Sequence, residues 1–153
     1  MILPVKVKGF TLVELVTVMI LLGILATVVL PKFSSRDGYA EYAVRDQFIS
    51  AFRYAQQRAM YDHGGTCYRL NIDAAGFGPQ RAGVAFGPVA PVNFAGDYQG
   101  ISLSPQVPIY FDGLGNSYSA NCSDIALIDP YIITFNPSGI QVQVYSTGFI
   151  QVI

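Results

Sequence analysis

From Leu15 to Leu30 no side chain carries a charge, and nearly every residue is aliphatic. Such a run has few solutions in water. A helix over 10–30 would be about 30 Å long, enough to span a hydrocarbon core. Glu14 stands at its cytoplasmic end, and Lys6 and Lys8 precede it. Cations ahead of an apolar segment stay cytoplasmic, so the rest of the chain is expected to face outward. The remainder is mixed, rich in Gly, Tyr and Phe and poor in charge. With 153 residues and a formal net charge of −1, the chain reads as one membrane segment joined to one exported domain. No whole-chain basic excess points to nucleic acid.

A secretory signal would be cut after the apolar stretch, beside small residues. Here that position reads Pro31-Lys32-Phe33, a poor site. The distinctive feature precedes the stretch: Gly9-Phe10-Thr11-Leu12-Val13-Glu14 follows a short basic leader, residues 1–9. This run resembles the class III signal of type IV pilins and type II secretion pseudopilins. The resemblance covers about 30 residues, a fifth of the chain. It implies cleavage between Gly9 and Phe10 by prepilin peptidase and N-methylation of the new amine on Phe10. It also implies that Pro31 falls where such stalk helices commonly carry proline, and that Glu14 and Pro31 serve assembly with other pilin or pseudopilin subunits on an inner-membrane platform.

Physical chemistry gives Glu14 a reason of its own. A carboxylate at mid-bilayer costs roughly 2.5–3.5 kcal/mol on insertion scales, less near the interface. Cleavage after Gly9 would create a cationic amine one helical turn away, within one subunit or between offset neighbours. The alternative is a single-pass anchor whose Glu14 snorkels to the interface, which leaves Gly9-Phe10 unexplained. Thr11 and Thr17 can bond back to helix carbonyls, and Gly23 permits close packing. Pro31 should kink or locally melt the helix, and Ser34-Ser35-Arg36-Asp37-Gly38 suggests a broad bend.

From Tyr39 to about Tyr61 helical spacing returns. Val44, Phe48, Ala51, Ala55 and Ala59 share one face, with Arg45, Gln56 and Asp62 expected to point away. Gly64-Gly65 ends that helix. Beyond it the pattern is β. Strands are expected at Tyr68–Ile72, Val84–Phe86, Ile101–Leu103, Ile109–Phe111, Tyr131–Phe135, Ile140–Tyr145 and Phe149–Ile153. The Gly- and Pro-rich region 74–91 reads mainly as loop. The expected fold is α+β and type IV pilin-like, with a leader at 1–9, a membrane and filament-core helix at 10–30, an amphipathic helix at 31–62, and at 63–153 an antiparallel β domain on which the amphipathic helix packs.

Cys67 and Cys122 both lie in the exported part. In an oxidising compartment a disulfide is the natural reading; the alternative is two unrelated buried thiols. A loop of about 55 residues would be worth roughly 4 kcal/mol. One histidine and two cysteines give no zinc-ligand spacing, so no metal site and no cofactor is expected.

Further segments, Ile109-Tyr110-Phe111-Asp112-Gly113-Leu114-Gly115 and Ser146-Thr147-Gly148-Phe149-Ile150-Gln151-Val152, are similar to H-type minor pseudopilins. Ala51 to Ala59 resembles the helix that precedes the sheet in that group. More narrowly, the chain looks like a minor component of a mannose-sensitive haemagglutinin (MSHA) pilus. The word minor rests on this resemblance alone.

Chemistry elsewhere is sparse. His63 beside Asp62 lacks an oriented nucleophile, and its place at a helix end suits contact with terminal carbonyls. Asp112-Gly113-Leu114-Gly115-Asn116 lacks the alternate oxygens and distal Glu of a calcium loop, so it reads as a turn; Asp124 and Asp129 add acidity near Cys122. The many tyrosines suit a half-buried sheet. After Arg81 there is no Lys or Arg. A nucleic-acid surface could come only from Arg45, Arg53, Arg58, Arg69 and Arg81, so DNA uptake is disfavoured. The expectation is a filament subunit and not an enzyme, with a type II secretion pseudopilin and an adhesive or DNA-binding tip subunit as rivals.

Overall fold

The computed structural model describes residues 9–33, 37–62, 64–122 and 126–153, with backbone alone at 27–33, 37–38 and 97. The leader residues 1–8, Ser34-Ser35-Arg36, His63 and Asp124 therefore lie outside the described residues. The chain divides into two compact units, 1–36 and Asp37–Ile153.

The first unit holds helix α1, Leu12–Phe33. It begins two residues later than expected and continues through Pro31 to Phe33, so the proline does not end it. Among the described residues no helix is long and apolar enough to cross a membrane. The described side chains of α1 stop at Ala26, short of the roughly 20 apolar residues that a hydrocarbon core requires.

The second unit is α+β. Helix α2, Asp37–Tyr61, is followed by antiparallel strands: β1 (Tyr68–Asp73), β2 (Gly76–Arg81), β3 (Val84–Ala85), β4 (Val92–Asn93), β5 (Ser102–Ser104), β6 (Ile109–Phe111), β7 (Ser117–Tyr118), β8 (Tyr131–Asn136), β9 (Ile140–Val144) and β10 (Ile150–Val152). They form two sheets where one was expected. The first runs β3-β2-β1-β6-β7, with β4 also pairing β2; the second runs β10-β9-β8-β5.

Strand β2 occupies what the sequence suggested was loop. Gly76, Gly78 and Pro79 each have a place there. The segment Pro91–Val92 crosses so close that a Cβ on Gly78 would lie 2.8 Å from the Pro91 side chain, and one on Gly76 would strike the Val92 carbonyl. Only glycine admits that approach. The Pro79 carbonyl accepts from the Phe86 N–H on the side away from β1. The ring nitrogen of Pro79 faces the same side, so its missing donor costs the β1–β2 ladder nothing.

The expected face of α2 is the core face. Val44, Phe48, Ala51, Phe52, Ala55 and Ala59 are all buried. The alanines let the helix lie close to β1, β2 and β6, which it contacts. Phe48 meets Phe77 of β2 edge-on at 5.2 Å and Phe135 of β8 at 5.7 Å. One ring thus sits against both sheets. Phe52 meets Phe111 of β6 at 4.9 Å. Each such ring pair adds about 0.5–1.5 kcal/mol beyond its area.

Two polar side chains expected to point away are engaged in the fold. Gln56 points inward: its Nε2 donates to the Gly115 and Gly148 carbonyls, both at 2.9 Å. Asp62, just past α2, accepts from Tyr68 OH (2.6 Å), Gly64 N–H and Arg81 (both 2.9 Å). Glu41 is buried and accepts from the Ser138 N–H in the β8–β9 turn at 2.9 Å.

Candidate functional site

The N-terminal segment carries the residues with the most unusual chemistry. Gly9 and Phe10 precede α1, and Phe10 is 81% exposed. Every large apolar side chain from Phe10 to Leu25 is exposed. Covering each would gain about 1.5–3 kcal/mol, so this cylinder calls for a non-aqueous surrounding or for neighbours.

Thr11 is the N-cap of α1, and Glu14 sits three residues on. Thr11 N–H and Oγ1 both donate to Glu14 Oε2 at 3.4 Å, and Glu14 N–H donates to Thr11 Oγ1 at 3.3 Å. This reciprocal arrangement is a capping box. It corrects the expectation that Thr11 bonds back to a helix carbonyl. Thr17 does so, donating to the Val13 and Glu14 carbonyls at 3.0 and 2.9 Å. The S/T-x-x-E spacing of this box is legible in the sequence. Pro31 lies within α1, and its side chain is outside the described set.

Cys67 and Cys122 are joined by a disulfide, with Cα atoms 5.7 Å apart. It ties the entry to β1 to the segment after β7, and Cys122 Sγ lies 3.7 Å from the Tyr68 carbonyl.

The acidic residues are engaged in structure. Asp112 accepts from the Leu114 and Asn116 N–H groups (2.9 and 2.8 Å), from Asn116 Nδ2 (2.9 Å) and from Tyr118 OH (3.0 Å). Burial pushes its carboxyl up, but these donors outweigh that and hold it below the usual range. Asp112 closes a turn, as the sequence suggested. Asp129 accepts from Ser146 Oγ (2.6 Å) and N–H, which lowers its pKa. Asp62 is lowered chiefly by Tyr68, then by Gly64. Among the described residues no group of three or more His, Cys, Asp or Glu could hold a metal ion.

Three of the five arginines are held by partners. Arg45 pairs with Asp46 at 2.7 Å, and Arg81 with Asp62 at 2.9 Å. Arg69 donates to Gln80 and Tyr110. Arg53 lines an open groove of about 490 Å³ with Asp46, Ile49, Ser50, Tyr54 and Val89. Arg58 is exposed near Asp62.

The sequence matches one family description, the prokaryotic N-terminal methylation motif, over residues 5–30. No curated protein and no solved structure matches the chain. The matched residues contain the Gly9-Phe10 junction, the Thr11–Glu14 box and most of the exposed apolar helix. Residues 5–30 thus carry the N-terminal methylation motif, which supports a likeness of this chain to type IV pilins and pseudopilins through that segment.

Proposed function

We propose that this chain is a minor pilin-like subunit of an MSHA-like type IV pilus. Prepilin peptidase cleaves it between Gly9 and Phe10, Phe10 is N-methylated, and the processed subunit enters or primes the filament. The observation that carries this reading is the methylation motif over residues 5–30, laid on a helix whose described apolar side chains are all uncovered.

The backbone of α1 covers 22 residues, about 33 Å at 1.5 Å per residue. Its sequence is uncharged from Leu15 to Leu30. These features support a single membrane pass through the inner membrane, with residues 37–153 in the periplasm before assembly. During assembly α1 leaves lipid for a bundle of other such helices. Lipid and helix neighbours are equally apolar, so packing and specific polar pairs set the arrangement. Glu14 with the Phe10 amine is the polar pair proposed to set subunit register. Nothing in this mechanism needs a cofactor or a catalytic group.

A second reading is an H-type minor pseudopilin of a type II secretion system. It is favoured by the same N-terminal features and by the disulfide-bonded α+β unit. A DNA-uptake role is disfavoured because three of the five arginines are held by Asp46, Asp62, Gln80 and Tyr110.

Quantitative mass spectrometry of sheared surface fibres, beside the membrane fraction, tests the proposal. The expected result is low stoichiometry in fibres, with an N-terminus at methylated Phe10. That terminus found only in the envelope favours the secretion pseudopilin. An intact leader in a strain with working peptidase overturns both.

A further inference from the structure

The capping box fixes where α1 begins, and its N-cap, Thr11, lies one residue past the proposed cleavage product's first residue. The first main-chain bond of helical spacing runs from Leu15 N–H to the Thr11 carbonyl, 3.2 Å. In a helix extended upstream by one residue, Glu14 N–H would bond the Phe10 carbonyl. It is given instead to Thr11 Oγ1. Glu14 Oε2 in turn occupies Thr11 N–H. The side chains therefore consume the groups through which the helix would propagate toward Gly9. Gly9 and Phe10 are left non-helical, with open space around the Gly9 Cα and Phe10 exposed.

We infer that Thr11 is a positioning residue for leader removal: its side chain stops α1 short of the Gly9–Phe10 bond and keeps that bond in chain a peptidase can take. The inference rests on the processing step proposed above. That step is a hydrolysis, in which water adds at the Gly9 carbonyl, the C–N bond breaks, and the products are a Gly9 carboxylate and a Phe10 amine. A helical Gly9–Phe10 bond must first unwind, so the rate follows the population of non-helical chain when opening is fast. A threonine at this place acts through Glu14 and the backbone and touches no reacting atom.

The test uses the full-length precursor in membranes with prepilin peptidase, following by mass spectrometry the fraction that begins at Phe10. Thr11→Val keeps the shape and removes the hydroxyl. It is expected to slow cleavage by up to about fivefold, the most that the loss of one N-cap can shift the balance between the capped start and a helix extended toward Gly9. Thr11→Ser restores the oxygen and should restore the rate. Gly9→Val serves as the control for the signal itself and should block cleavage. Equal rates for Thr11→Val and the unaltered precursor overturn the inference and leave the processing reading standing, provided Gly9→Val is blocked. Slow cleavage that Thr11→Ser does not rescue also overturns it. An unaltered precursor that is not cut overturns both.

Discussion

Gln56 Nε2 lies 2.9 Å from the carbonyl oxygen of Gly148, ninety-two residues along the chain. The same nitrogen reaches Gly115 at the same distance. A single amide thus fixes two loops, one before β7 and one between β9 and β10. Gly148 has φ 77°, and a Cβ there would collide with the Gly115 carbonyl and with Gln56 itself.

Gln56→Leu should leave two carbonyls unpaired beneath the helix. The expected loss is about 1–3 kcal/mol, measured by equilibrium unfolding of the detergent-solubilised protein. Gly148→Ala should cost at least as much, because it adds strain to the same lost contact. Wild-type stability in both would remove Gln56 from the list of supports.

Glu41 is expected to matter through its acceptor oxygen. Glu41→Ala strands the Ser138 N–H, and about 1–3 kcal/mol should be lost. Glu41→Gln keeps a carbonyl oxygen and should recover most of it. A Gln variant as weak as the Ala variant would locate the effect in packing instead.

Removing the disulfide in a Cys67→Ser, Cys122→Ser protein opens a loop with a sequence separation of 55. Chain entropy sets the expected loss at about 4 kcal/mol. Urea unfolding with and without reductant checks it. The unaltered protein should fall to the double variant's midpoint once reduced.

Acid should destabilise residues 37–153 in a definite window. Asp62, Asp112 and Asp129 all have folded pKa values below the ordinary one. Their contribution is present above the unfolded carboxylate value of about 3.9 and is lost as pH falls through the lower folded values. Burial, followed by the bond to Asp62, raises the Tyr68 phenol; the bond to Asp112, followed by burial, raises Tyr118. Their contribution is therefore present below about pH 10 and fades as pH rises through the folded values. Thermal melts from pH 2 to 11 should trace both limbs. Asp112→Asn should flatten the acid one.

Glu14→Ala is expected to reduce surface fibres sharply while the protein still reaches the membrane. Immunoblots of sheared fibres and of membranes separate these two outcomes. A normal fibre count would take register-setting away from Glu14.

The legible parts of the fold were those where periodicity and burial agree. The five apolar positions of α2 form its buried face, and β6 spans Ile109–Phe111 as its sequence suggests. The turn at Asp112 was also readable, because Asp followed by Gly and Asn is short-range chemistry. What was missed depends on distant partners. Nothing near Gly76-Phe77-Gly78-Pro79 shows that Pro91–Val92 will press against it, so the glycines looked like loop. Gln56 is polar and reads as outward-facing, because the carbonyls that need it arrive from residues 115 and 148. In the N-terminal site, the helix and its carboxylate were legible. The Thr11 cap is short-range as well, a hydroxyl three residues ahead of a carboxylate.

Helix α2 also has a mechanical consequence. Glu41 is fastened to the β8–β9 turn, Phe48 to β2 and β8, and Gln56 to the loops at 115 and 148. Tension entering at the N-terminal end of α2 is therefore shared among successive anchorages in both sheets. A pull that frees the first still meets the second and third, so this helix should yield in steps and not peel away at once.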